Sequence, residues 1–419
     1  MEMKKYKLED ICLKITDGSH FSPKPAEHGY PMFSVKDMGE FGFSYSDAKL
    51  ISKEDFEKMK SSGCVPQKND VLVAKDGSYL KESFVCTEGK DEAILSSIAI
   101  FRPNTTIVDP YFLAYLFKTP SVYKYVKNGC VSGTALPRIV LKAFKQIELY
   151  LPQVEKQKKI SSVLLTIDAK IALNRRMNTK LEQMAKRLYE HWFVQFDFPN
   201  ADGKPYKASG GKMVWNEVLK RKIPEVWEVK RLEDVCNFRN GINYDKNVFG
   251  DKNYKIVNVR NITATTFFLN QNDFDEICLQ SKIADNYLIP EISILIARSG
   301  SPGATRVIMN VKNNVIFCGF IICMEKFTPK YKFYFTYFLK KLENTSATKT
   351  GGSILQNVSQ DTLKRLSVIL PSEEIVDVFN EKILPIFNYQ LTIQKEIQKL
   401  TNLRDRLLPL LMNGQVEVE

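Results

Sequence analysis

The chain has 419 residues, 26% of them charged and 44% hydrophobic, with a net charge of +12. That is an ordinary globular composition, with room for two to four domains. No apolar run approaches the roughly 20 residues of a membrane span, and no basic-then-apolar leader opens the chain, so a cytoplasmic location is expected. The positive charge points to acidic partners, nucleic acid before anionic membrane. The eight cysteines are scattered with no C-x-x-C pair, which reads as buried free thiols in a reducing compartment and not as a zinc site. Three histidines (His20, His28 and His191) leave few candidates for His-based catalysis.

Residues 1–150 mix short strand patterns with turns. Asp70–Lys75 and Ala93–Phe101 are β-branched and apolar and are expected as strands. A short helix is expected after Asp109-Pro110, proline suiting a helix start. Asp17–Ser19, Asp76–Ser78 and Ser132–Thr134 read as loops.

The stretch 151–196 has a different pattern. Ile160, Leu164, Ile167, Ile171, Asn174, Asn178, Leu181, Ala185, Leu188 and Trp192 follow a heptad, and eight of these ten are apolar. Neither glycine nor proline occurs from Val154 to Phe198. A helix of about 40 residues rises roughly 60 Å, too long to fold inside one compact domain. Residues 197–224, rich in Pro, Gly, Lys and Asn, read as a linker that leaves the second half free to rotate.

The second half repeats the first. KLEDIC at 7–12 returns as RLEDVC at 231–236, and VLVAKDGS at 71–78 as ILIARSGS at 294–301. SGTALPRI at 132–139 returns as GGSILQNV at 351–358. Strands are expected at Ile292–Arg298 and Val315–Met324, a helix after Thr328-Pro329, and loops at Ser299–Gly303 and Gly351–Ser353. The heptad returns 219 residues on, as Phe379, Ile383, Ile386, Gln390, Ile393, Ile397, Leu400, Arg404, Leu407 and Leu411. Two such seams most simply bury each other as an antiparallel pair, with the polar interruptions setting register. Pro385 has no counterpart in the first copy and predicts a kink or break. The expected fold is α+β: two tandem globular domains (1–150 and 225–370) and two long helices (151–196 and 371–414) paired as an antiparallel coiled coil, a pseudo-twofold repeat.

This pattern resembles the specificity subunit of type I restriction–modification systems over essentially the full chain. The carrying stretches are LPQVEKQKKI with IDAKIALNRRMNTKLEQMAKRLYEHWFV, the hinge FPNADGKPYKASGGKMV, IPEVWEVKRLEDVC, and the end LRDRLLPLLMNGQVEV. The resemblance implies a DNA reader without chemistry of its own. Two target-recognition domains would each grip one half of a split double-stranded DNA sequence. The long helices would dock two adenine-methyltransferase (modification) subunits, which bring S-adenosylmethionine, and a restriction/translocase subunit can join them.

The residues agree with a non-catalytic reading. Asp109-Pro110-Tyr111 lacks the second proline of a methyltransferase motif, and no Walker loop is present. Asp70 with Glu88-Gly89-Lys90 imitates a nuclease site that the second half does not retain. A self-contained restriction–methylation enzyme and a coiled-coil scaffold for protein partners are the alternatives. DNA contacts are expected from loop residues at matching places in the two repeats. In the first they are Ser19, His20, Lys75, Ser78, Tyr79 and Arg138. In the second they are Arg239, Asn240, Tyr244, Arg298, Ser299, Ser301, Lys349, Ser353 and Gln356. Lys75 and Arg298 lead, each standing where an apolar strand ends in a Gly-containing turn.

Overall fold

The computed structural model describes residues 2–77, 80–132, 137–244, 250–343 and 358–418. Two compact units form: Met1–Arg175 with Lys395–Glu419, and Arg176–Gln394. Each contains one copy of the globular repeat and parts of both long helices.

In the first copy, besides a short hairpin of Met38–Gly39 with Gly42–Phe43, the strands before Pro110 are β1 (Lys4–Lys7), β2 (Cys12–Asp17), β3 (Tyr30–Phe33), β4 (Lys49–Ile51), β5 (Val71–Ala74), β6 (Ser83–Val85), β7 (Ala93–Ile94) and β8 (Ile98–Pro103). Helix α1 (Pro110–Phe117) follows, then β9 (Glu148–Leu151) and the long helix α2 (Val154–Tyr189). A four-stranded sheet runs β2-β8-β5-β6, and a three-stranded one runs β4-β3-β7. The stretch expected as one strand over Ala93–Phe101 is therefore two strands in two sheets. A turn at Leu95–Ser97 divides them, closed by Ile98 N–H donating to the Leu95 carbonyl at 3.0 Å. No glycine or proline marks this turn. The signal lies opposite, at Gly18, where an added Cβ would stand 2.2 Å from the Ile94 carbonyl oxygen, so only glycine lets the chains cross.

Helix α1 begins where the sequence predicts. The Asp109 side chain accepts from Phe112 N–H at 2.8 Å, capping the helix, with Pro110 in its first turn. The same carboxylate accepts from Ser161 Oγ at 2.8 Å, and the fully buried Gln157 bonds Asp109 N–H and the Ile107 carbonyl. The start of α2 is thereby fastened to its own globular part.

Between the copies, residues 197–224 are folded, contrary to the expected free linker. Strands β10 (Met213–Asn216) and β11 (Arg221–Pro224) form a hairpin. Phe198 stacks on Tyr206 at 4.6 Å and on Trp227 at 4.7 Å, and Phe196, Phe198 and Ile223 join the core of the second unit. Composition suggests flexibility, but Phe198 and Tyr206 within the segment, packed with the flanking Phe196 and Trp227, supply enough buried surface to order it.

The second copy has β12 (Glu228–Arg231), β13 (Asn237–Asn240), β14 (Lys252–Val257), β15 (Asp275–Leu279), β16 (Ser293–Ala297), β17 (Thr305–Arg306), β18 (Val315–Phe317) and β19 (Ile321–Glu325). Helix α3 (Lys332–Lys340), β20 (Ser367–Leu370) and the long helix α4 (Glu373–Met412) complete it. Its sheets run β13-β19-β16-β17 and β15-β14-β18, the same order as in the first copy. The turn between β18 and β19 divides Val315–Met324, as Leu95–Ser97 divides its counterpart, and Gly241 faces it as Gly18 does: an added Cβ would stand 2.2 Å from the Cys318 carbonyl oxygen. All eight cysteines are free; six are buried, while Cys12 and Cys278 are only half-buried.

The long helices run antiparallel within each unit. In the first, Lys170 pairs with Glu396 at 3.5 Å and Asp168 with Arg404 at 2.9 Å, and Ile160 and Leu164 share a core with Leu408, Leu411 and Met412. In the second, Gln390 donates to the Asn178 carbonyl at 3.2 Å, and Tyr189 and Trp192 meet Phe379 at 6.5 and 5.9 Å. Of the seam positions, Ile160, Leu164, Ile167, Ile171, Phe379, Ile383, Ile393 and Leu411 are buried. Leu181, Leu188, Ile386, Ile397, Leu400 and Leu407 are half-buried. Positions beside the seam, among them Tyr189, Val376 and Phe387, are buried against the globular part. No break occurs at Pro385: α4 is helical throughout and carries this proline on its exposed face. One missing N–H is outweighed by a ladder and a packed face that continue on both sides.

A candidate nucleic-acid interface

The first copy offers its candidates at the ends of β2 and β5. Gly18 turns the chain out of β2, and the exposed loop after it carries Ser19, whose Oγ donates to the Phe21 carbonyl at 2.8 Å and accepts from Phe21 N–H at 3.1 Å. His20 is exposed, with Nε2 3.5 Å from the Asp17 carboxylate. Lys75 does not reach solvent as a strand-end cation should. It is 5% exposed, and its ammonium forms an ion pair with Asp17, the last residue of β2. Burial makes an unpaired ammonium costly, so the partner fixes it inside. Arg138 is exposed and lies 3.3 Å from Asp76.

The second copy places Asn240, the last residue of β13, at the surface. Its neighbour Arg239 is a structural residue and not a free donor. The Arg239 Nε donates to Glu325 at 2.7 Å and Nη1 to the Asn286 carbonyl at 2.8 Å; Nη2 bonds the Leu288 carbonyl, and the guanidinium covers the Phe317 ring at 4.9 Å. Tyr244 is half-buried with its hydroxyl 3.5 Å from Asn258 Oδ1, and burial raises its pKa. Arg298 is half-buried; Nη1 donates to the Gly319 carbonyl at 3.3 Å, and Nε is sealed from water without a partner. Ser299 and Ser301 flank Gly300, whose φ of +76° makes the turn. Ser78, Tyr79, Lys349, Ser353 and Gln356 lie outside the described residues.

Two exposed aromatics escaped the sequence reading as individual residues. Phe21 is 67% exposed beside His20, and Phe320 is 62% exposed on the turn before β19. Arg298 N–H donates to the Phe320 carbonyl at 2.9 Å, so the two residues are joined backbone to backbone. The signal was masked because Phe320 stands in the apolar run 315–324. Stacking aromatics beside cations suit nucleic-acid bases and phosphates. The nuclease-like Asp70 is fully buried and held by a two-pronged Arg102, at 2.8 and 2.9 Å, which draws the guanidinium pKa upward. Among the described residues no group of His, Cys, Asp or Glu is arranged to hold a metal.

The model of the type I restriction modification DNA specificity domain matches residues 1–183 and again 224–402. The MjaIX type I restriction enzyme specificity subunit of Methanocaldococcus jannaschii is 28% identical, covering 76% of this chain and 71% of its own length. The HindI specificity subunit of Haemophilus influenzae is 25% identical over 99% of this chain and its own full length. The crystal structure of a type I restriction–modification S subunit from M. genitalium has the same fold, with a TM-score of 0.54 at 15% identity over 98% of this chain and 96% of that one. With the family domain present twice and folded in one sheet order both times, this chain belongs to the specificity subunits of type I restriction–modification systems.

Proposed function

We propose that the chain reads a bipartite double-stranded DNA target, one half-site per globular repeat, and performs no chemistry itself. The observation that carries this is the duplication of the whole sheet crossing: Gly18 with Asp17 and Lys75 in one copy, Gly241 with Asn240 and Arg298 in the other. Two like surfaces on a basic chain suit two half-sites. The antiparallel helices dock two adenine-methyltransferase subunits, which bring S-adenosylmethionine, and through them the restriction/translocase subunits, in the cytoplasm.

The test is co-expression with an adenine-methyltransferase subunit of such a system. A one-to-two complex that methylates DNA only at a split sequence is the expected result. A complex without site-specific methylation, or methylation by this chain alone, would sink the reading. The helices also act as the ruler between half-sites. One heptad inserted after Arg175 and another after Gln394 keeps both seams in phase and adds about 10 Å. The preferred spacer should lengthen by about three base-pair steps of ~3.4 Å. An unchanged spacer would remove the helices from that role.

A further inference from the structure

The two copies hold their strand-end cations in the same backbone frame. In the sheet, Asp17 stands opposite Ala99, and Asn240 opposite Ile322. Lys75 follows Ala74, which pairs with Ile98, and Arg298 follows Ala297, which pairs with Ile321. Lys75 N–H donates to the Ser97 carbonyl and Arg298 N–H to the Phe320 carbonyl, both at 2.9 Å. The carbonyls of Lys75 and Arg298 accept from Ile139 at 3.0 Å and Val358 at 2.9 Å. Gly77 and Gly300, two residues further on, both take left-handed φ, +68° and +76°. The side chains thus leave from equivalent places.

Their charges are treated differently. In the first copy a half-buried carboxylate at the end of β2 neutralises the cation, and the lysine is drawn inside. In the second, the same place carries the neutral Asn240. Among the described residues Arg298 has no carboxylate partner. Its single hydrogen bond goes to the Gly319 carbonyl, leaving Nε unsatisfied and Nη2 without a described partner. Nε is sealed, so an anion would be met by the outer end of this half-buried guanidinium, where Nη2 is open; donors there suit phosphate oxygens.

We infer that Arg298 is the open member of this pair of positions and takes a backbone phosphate of DNA, while Asp17 closes Lys75 to the same role. The two repeats therefore grip their half-sites with unequal electrostatics at one matched position. This rests on the DNA-reading function above.

The experiment measures binding of random-sequence duplex DNA to the full chain against salt concentration. Each phosphate contact contributes about 0.9 to the slope of log Kobs on log salt. Asn240→Asp copies the first repeat's carboxylate beside Arg298 and should lower the slope by about 0.9, weakening binding roughly eightfold at 0.1 M salt and little at 1 M. Arg298→Gln should lower it equally, and the two together should lower it no further. Asp17→Asn with Lys75→Met removes a closed pair and should leave the slope as it was. If the wild-type chain binds and neither Asn240→Asp nor Arg298→Gln changes the slope, the inference is overturned while the DNA reading stands. An equal fall in the Asp17/Lys75 double variant overturns the asymmetry. No binding by the wild type overturns both.

Discussion

The two units fasten helix to globular part by opposite chemistry at matching positions. In the first, Asp168 of α2 is buried and accepts from Tyr115 Oη at 2.6 Å and from Arg404 Nη1 of α4 at 2.9 Å. Arg404 also pairs with Glu40 of the globular part, and Glu40 accepts from Arg175 at 2.7 Å. Move 219 residues along the repeat and Asp168 becomes Phe387, while Arg404 becomes Ala185. Phe387 is fully buried among Phe333, Phe267 and Phe268, at 4.7, 4.9 and 5.1 Å, and Ala185 is fully buried too. One copy of an old repeat has kept or gained a directional charge network. The other fills the same seat with rings. A charge network fixes geometry through directed bonds but gains little net stability, whereas aromatic burial stabilises with less angular demand.

The largest expected effect lies in the second unit. Phe387→Ala should cost about 3–5 kcal/mol by transfer and cavity terms together. Hydrogen exchange at amides 180–190 of α2 should report it, with no dependence on salt. A loss under about 1 kcal/mol would mean the ring cluster is not a structural anchor. In the first unit, Arg404→Met leaves the buried Asp168 uncompensated and should cost about 3 kcal/mol, read at amides 160–170. The double variant Asp168→Leu with Arg404→Met should recover more than half of that, since apolar groups of similar volume replace a buried pair without penalty. Failure to recover would give the pair a net stabilising role that its partner unit lacks. Tyr115→Phe comes next, at about 2 kcal/mol, for one hydrogen bond to a buried carboxylate.

The smallest effect is in acid. Burial pushes Glu40 upward, but its bonds to Arg404 and Arg175 more than offset this and hold its pKa below the ordinary glutamate value. A lowered folded pKa contributes stability that is full above the ordinary range, near about 4.5, and is lost as pH falls through the folded value. Protection in the first unit should therefore drop on acidification below about pH 4.5. The Arg404→Met chain should lose part of that sensitivity; an unchanged profile would remove Glu40 from the network's energetics.

Much of this was legible in the sequence, and the reason is length. A heptad sustained over some 30 residues has few alternative structures, and the repeat supplies it twice. What was not legible depends on residues far apart. Lys75 and Asp17 are 58 residues apart, so nothing in VLVAKDGS shows that the lysine is closed by a carboxylate. The apolar runs 93–101 and 315–324 each hide a sheet-changing turn; Gly319 marks the second from within, whereas the first has no glycine of its own and is allowed by Gly18, which follows β2. Arg239 looked like a surface donor because its three acceptors come from 286, 288 and 325. In 197–224 composition favoured a loop, and the stacking of Phe198, Tyr206 and Trp227 prevailed over it.

The first unit joins residues 1–175 to residues 395–419, with the whole second unit between them in the chain. During synthesis its globular part emerges early, but Ile160, Leu164 and Ile171 of α2 wait for a partner strip made some 220 residues later. At about 5–20 residues per second that is a delay of roughly 10–40 s. For that time Asp168 has Tyr115 of the early globular part as a hydrogen-bond donor but lacks Arg404. The directed network around Asp168 is therefore the last part of the first unit to be completed, since Arg404 is made after every other member of it.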